Sequence, residues 1–226
     1  MNGMGNPQDL LSRLSGPLAP IRDRLSHGPE FRRVVPSAQV LEADVFACLM
    51  QSYARRFGVK SDGYLVSLWS QKYLATVIIP VMALSVIGGQ AVHADIETTE
   101  IVVDDDGEPV ALGLPSAFTT EEADQTASLL VSTHLTPLVE ALAKRSGLSR
   151  KVFWGNAAHY LEWIVRQLPG KNPDFALPAP MTDAIRYVEE DGLRLRRRKV
   201  CCLRDRVPGV EDCGSLCPDR VKRIKP

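Results

Sequence analysis

Four of the chain's five cysteines, Cys201, Cys202, Cys213 and Cys217, fall in one short stretch with the spacing C-C-x(10)-C-x(3)-C. Thiols gathered this tightly make a disulfide knot, a metal site or a redox pair. Adjacent cysteines bridge only through a distorted ring, and no export signal is expected from the N-terminal sequence, so the disulfide reading is poor. Zinc sites usually present two C-x(2–4)-C knuckles. Cys213 and Cys217 can form one such knuckle, but the vicinal Cys201-Cys202 cannot form the other. The spacing also departs from the plant-type and bacterial ferredoxin runs. What remains is a four-thiolate metal site, with iron–sulfur a little ahead of zinc.

The elements that must position these thiols are mostly helical. With 226 residues, 45% of them apolar and 24% charged, the chain has the composition of an ordinary globular protein with one good core. Residues 1–35 mix Gly, Pro, Ser and Arg, and read as a loosely packed N-terminal extension. Ser37 opens a helical pattern carrying Leu41, Val45, Leu49 and Tyr53, which Gly58 ends. Cys48 lies in it and reads as a small buried cysteine. Ser61-Asp62 start a second helix that runs through an apolar segment to Gly88-Gly89. That segment falls short of a membrane span and holds Pro80, so it reads as a kinked core helix.

Residues 91–114 then read as a β-hairpin around Asp104-Asp105-Asp106-Gly107, with a solvated tip. Thr119-x-x-Glu122 is a capping box, Pro137 begins a further helical piece, and Ser149 caps a strong helix up to Leu168. After a proline-rich linker, a short helix is expected over Asp183–Glu190. The expected fold class is α+β: predominantly α-helical, with a small antiparallel β-hairpin and an irregular C-terminal cluster-binding segment. The expected division is an extension (1–35), a helical core (36–190) and a cysteine segment (191–226).

Net charge is zero, but residues 194–226 carry 11 Lys/Arg against 4 Asp/Glu, leaving 16 against 23 in residues 1–193. The run Arg194-Leu195-Arg196-Arg197-Arg198-Lys199 leads straight into the cysteines. It reads as a solvated face or as cations that stabilise an anionic cluster and steer an acidic partner. Nucleic acid is disfavoured, because no aromatic interleaving or known module accompanies the run. No G-x-G-x-x-G after a strand, no P-loop and no G-x-S-x-G is found, so electrons for a redox site would have to come from another protein.

The C-terminal run resembles the signature of the FhuF-type ferric-siderophore reductases, which carry a [2Fe–2S] cluster on C-C-x(10)-C-x(2)-C. This chain has three residues, Gly214-Ser215-Leu216, where that pattern has two, and a bulge at Gly214 would absorb the extra one. His134-Leu135-x-Pro137-Leu138, Trp154-x-Asn156-x-Ala158 and Leu68-Trp69-Ser70-x-Lys72-Tyr73 resemble further segments of the family. Together they span roughly residues 60–217.

The resemblance implies a cytoplasmic enzyme that passes one electron to Fe(III) held by a siderophore, a hydroxamate by preference, to release Fe(II). It implies Cys201, Cys202, Cys213 and Cys217 as cluster ligands, and a ferredoxin or ferredoxin reductase as donor. His134, Trp154, Asn156, Arg196, Arg197 and Arg198 become candidate substrate or donor contacts. Each has a plainer reading: His134 and Trp154 as core, Asn156 as a cap on a neighbouring backbone group, the arginines as surface. The alternative is a zinc-stabilised binding module with a basic tail. A siderophore-biosynthesis relative is a third reading, though that wants a nucleotide-binding region. Whether the N-terminal extension docks peripherally on a membrane is left open by the sequence.

Overall fold

The computed structural model describes residues 33–114, 118–168, 175–190 and 192–218, together with Ala19, Ile21 and Leu25. The centre of the fold is a 26-residue helix, α2 (Gly63–Gly88). Asp62 starts it by accepting a hydrogen bond from the Leu65 amide at 2.9 Å, and Gly89 ends it in the left-handed region. It is apolar nearly all round, so every side needs a covering element. The helix is long and apolar enough to cross a bilayer, yet 78% of its most apolar window is buried within the fold.

The coverings come from both directions along the chain. Ahead of α2 lies α1 (Ala43–Phe57), which packs Phe46, Leu49, Met50 and Tyr53 inward and is closed by Gly58 at φ 63°. Behind it come a 3₁₀ turn over Ala123–Gln125, further short helices and turns, and then α5 (Arg150–Gln167), which is capped by Ser149 and lies along α2. The helices between are α3 (Thr126–Leu130) and α4 (Thr136–Ser146), joined by a π-turn over Val131–Leu135.

Among the described residues, three small antiparallel sheets accompany the helices. β1 (Val34–Pro36), β3 (Glu100–Val103) and β4 (Pro109–Gly113) form one sheet in the order β1-β3-β4. β2 (Gln90–Val92) pairs with β5 (Phe118–Glu122), and β6 (Ile185–Glu190) with β7 (Leu193–Arg198). The expected hairpin is therefore present as β3–β4, but residues 90–92 leave it to pair with β5. Its tip is only half solvated. Trp69 donates its indole N–H to the Gly107 carbonyl at 2.9 Å, and a Cβ at Gly107 would stand 2.8 Å from the Leu49 carbonyl oxygen. Gly107 lets the turn dock there.

Three expectations are corrected. Residues 183–190 form no helix. β6 pairs with β7 from Ile185↔Arg198 to Glu190↔Leu193, and each supplies the other's backbone bonds. Thr119-x-x-Glu122 lies in a strand, and the helix begins only at Thr126. Cys48 is exposed, lying off the inward stripe of α1, and accepts a hydrogen bond from Arg33 at 3.5 Å. Of the N-terminal extension, Ala19, Ile21, Leu25 and residues 33–35 are described; Ile21, Leu25 and Val35 are buried in the core, Leu25 bridges to Leu112, and Val34 and Val35 belong to β1. The β6–β7 hairpin straddles the expected boundary at residue 191.

Candidate metal centre

β7 delivers the chain to the thiols. Its burial deepens from exposed Leu193 and Arg194 to buried Arg197 and Arg198, so the arginine run dives under the surface as it approaches Cys201. The Lys199 amide donates to the Ala184 carbonyl at 2.8 Å and closes the hairpin's base. The chain then turns sharply at Leu203, the one non-glycine residue with positive φ among those described. This φ of 61° is costly for a branched side chain, and such outliers cluster at functional sites. The turn aims the Leu203 amide at the Cys201 sulfur, 3.4 Å away, and the Arg204 amide at Cys202.

All four C-terminal cysteines are free thiols, with Cys202 and Cys217 buried and Cys201 and Cys213 half-buried. Cys217 reaches its place through a 3₁₀ turn over Gly214–Leu216, entered with Gly214 at φ 60° and closed by the Cys217 amide on the Gly214 carbonyl at 3.0 Å. The additional residue in the C-x(3)-C spacing is taken up in this turn.

The thiols sense one another. The Cys213 thiol beside it, helped by the Arg198 guanidinium, holds the Cys202 thiol below the ordinary thiol range. Cys213 beside that thiolate keeps its proton far above the ordinary thiol range. Burial pushes Cys201 up to about 11, with Cys202 and Cys217 adding to the effect. Among the described residues, no three His, Cys, Asp or Glu side chains surround one metal-sized point. A [2Fe–2S] cluster asks instead for two thiolates on each of two irons.

Beneath the thiols lies a buried polar knot. Ser67 of α2 donates to the Cys202 carbonyl at 2.7 Å. Asn156 of α5 donates to the Ser67 carbonyl and hydroxyl, each at 3.3 Å, and to the Ser70 hydroxyl at 3.0 Å. Arg198 donates to the Asn156 side-chain oxygen. Asn156 thus ties three elements together, as its plainer reading had it. Arg198 is 1% exposed, and among the described residues it has no carboxylate partner; its Nε has no hydrogen-bond acceptor. A buried guanidinium without a counterion is expensive unless an anion stands beside it. Four thiolates around a metal cluster are such an anion, so the residues present fit the group.

The other candidates separate. His134 is fully buried: its Nδ1 pairs with the Ala94 carbonyl at 2.9 Å and its Nε2 with the Tyr73 hydroxyl at 3.0 Å. Burial lowers its pKa to about 4, so it is the neutral tautomer that donates from Nδ1 and accepts at Nε2. Both ring nitrogens are spent inside the core, and the π-turn holds it there. Trp154 is buried at one wall of a cleft beside Val200. Arg196 pairs with Glu162 at 3.2 Å and donates to His159 Nδ1, and Arg197 pairs with Glu190. Burial, with Arg198, Arg196 and Arg204 nearby, pushes His159 down to about 3.

Sequence reasoning missed Ser67 and Arg204. A signal for the former existed: Ser67, Ser70 and Gln71 interrupt an otherwise apolar helix, and polar groups on its buried faces need partners.

Comparison with known proteins agrees with this geometry. Residues 67–204 match the family model described as "Ferric iron reductase FhuF-like transporter", and residues 198–218 match "FhuF 2Fe-2S C-terminal domain". The ferric siderophore reductase of Escherichia coli (strain K12) is 24% identical over 178 residues, covering 70% of this chain and 66% of that protein. The petrobactin biosynthesis protein AsbB from Bacillus anthracis str. Sterne covers 69% of this chain and 31% of its own, with a TM-score of 0.48 and 16% identity. The first match takes in the polar knot and the second all four cysteines of the C-terminal segment, so the chain belongs to the FhuF-like ferric iron reductase family and ends in its [2Fe–2S] domain.

Proposed function

We propose that this protein is a cytoplasmic ferric-siderophore reductase whose cluster is held by Cys201, Cys202, Cys213 and Cys217, and whose substrate is a hydroxamate chelate of Fe(III). The observation that carries the reading is Arg198, a buried cation with no carboxylate among the described residues, set against four free thiols. A [2Fe–2S] cluster bound there supplies one electron, which converts chelated Fe(III) to Fe(II), and an external donor such as a ferredoxin or ferredoxin reductase restores it.

The chain's residues prepare that transfer. The Leu203 and Arg204 amides and Arg198 stabilise negative charge on the sulfurs, which favours the reduced state. Ser67 fixes the Cys202 backbone to the helical core. Fe(III) prefers hard anionic oxygen ligands and Fe(II) is held far more weakly, so reduction frees the metal without any acid, base or nucleophile.

Anaerobically purified protein should show visible absorption that bleaches with dithionite, and about two irons per chain. It should then reduce a ferric trihydroxamate when supplied with a reduced ferredoxin. A colourless protein holding one zinc would sink the redox reading and favour the zinc-stabilised module.

A further inference from the structure

Next to the thiols, the first turn of α5 and the residues before β6 enclose a cleft of about 390 Å³. Arg150, Lys151, Trp154, Asp183, Lys199 and Val200 are among its lining residues. Val200 immediately precedes Cys201, so whatever occupies the cleft abuts the cysteine segment. The volume suits a small ligand or part of a larger one.

The charges here run against what the helix itself would choose. The first turn of a helix favours carboxylates, because the unpaired amides there carry partial positive charge. The first turn of α5 has no acidic residue and opens instead with Arg150 and Lys151. Lys199 adds a third cation from the end of β7, against the single carboxylate of Asp183. Where a sequence breaks a local rule, function is the usual reason. Two of these cations are already paired, Arg150 with Glu140 at 2.6 Å and Lys199 with Asp183 at 3.3 Å. Both pairs lie in solvent, where such pairs are worth at most about 1 kcal/mol, so an arriving anion can displace them. The Trp154 indole supplies an apolar wall beneath the cations.

We propose that this cleft seats the iron chelate, and that the chelate it takes is anionic: a hydroxamate siderophore bearing free carboxylates rather than a neutral or cationic one. The proposal rests on the reductase reading above and narrows its substrate class. The cations hold the carboxylates, the indole covers the ligand's carbon skeleton, and the position beside Val200-Cys201 brings the chelated iron to the thiol segment.

The test is calorimetric titration of the full-length, cluster-loaded protein with Ga(III) complexes of three trihydroxamates of positive, zero and negative overall charge. Gallium copies Fe(III) in size and charge but does not accept the electron, so binding is read apart from reduction. The anionic complex should bind tightest, and Lys151→Glu combined with Lys199→Glu should weaken it about tenfold or more. Both side chains are exposed, and an unchanged visible spectrum verifies that the variant is folded and loaded. Arg186→Glu, a charge reversal on β6 outside the cleft, should leave the affinity as it was. Equal affinity for all three complexes, or indifference to the paired Lys variant, overturns the proposal. Tight, Lys-dependent binding without reduction of the matching Fe(III) complex supports the site and instead overturns the reductase reading.

Discussion

Around His134 and around Arg198 this protein buries basic side chains in two different ways. His134 sits among helices, neutral, with a hydroxyl on one ring nitrogen and a carbonyl on the other. Arg198 sits under the cysteines, charged, holding a neutral Asn156 oxygen and leaving Nε without an acceptor. The first site is complete with protein groups alone. The second lacks a protein acceptor at Nε among the described residues, and the cluster proposed for these cysteines would supply the balancing charge. The helical region draws its stability from burial around α2; the C-terminal region has little apolar surface of its own and relies on polar ties and on the cluster.

Breaking the metal side outright should have the largest effect. Cys213→Ser should abolish visible absorption and iron content, whereas Cys48→Ser, on the exposed face of α1, should leave both intact. Bleaching by the Cys48 change would mean that the ligand set is wrong. Next in size is the knot itself: Asn156→Ala removes donors to Ser67 and Ser70 and strands Arg198. Its unfolding free energy in urea should fall by about 3 kcal/mol, with iron lost at a lower denaturant concentration than in the parent.

A sharper cut separates charge from packing. Arg198→Met keeps much of the buried volume but removes the cation, and should lower the cluster's reduction potential by about 60 mV, a tenfold change for one electron. Arg198→Lys should recover part of that shift in protein-film voltammetry. An unshifted potential in Arg198→Met would show that Arg198 is only a structural strut.

Near neutral pH the mildest effect belongs to His134, whose contribution changes only as the solution is acidified. Its pKa of about 4 when folded lies below the ordinary value of 6.5. The unfolded chain therefore takes up the proton first as pH falls, and stability drops between about 6.5 and 4, then levels off. The full change is on the order of 3 kcal/mol, and His134→Gln should flatten this part of the pH–stability curve while leaving the cluster spectrum unchanged.

How much of this was legible in the sequence depends on how local each signal was. Asp62, Ser149, Gly58 and Gly147 mark their helix ends through bonds within a few residues, and the structure uses each as the sequence suggests. The cysteines were legible because no ordinary core needs four thiols so close together. β6 was misread as a short helix, because its pairing partner β7 comes from the arginine run, which the sequence offered as a solvated face rather than as a strand. Tyr73 and Ala94 meet His134 from 61 and 40 positions away, and Ser67 meets Cys202 from 135 away, distances that no spacing rule spans.

The hydrogen bond from Ser67 to the Cys202 carbonyl also fastens the vicinal thiols to the helical core across 135 positions of sequence. Ser67 belongs to the central helix, whose placement depends on the α1 and α5 surfaces around it. The vicinal thiols are thereby anchored to the same scaffold that those helices build. A zinc finger takes its hold on structure from its ion; here the Cys202 backbone has a second hold, on a side chain of the helical core.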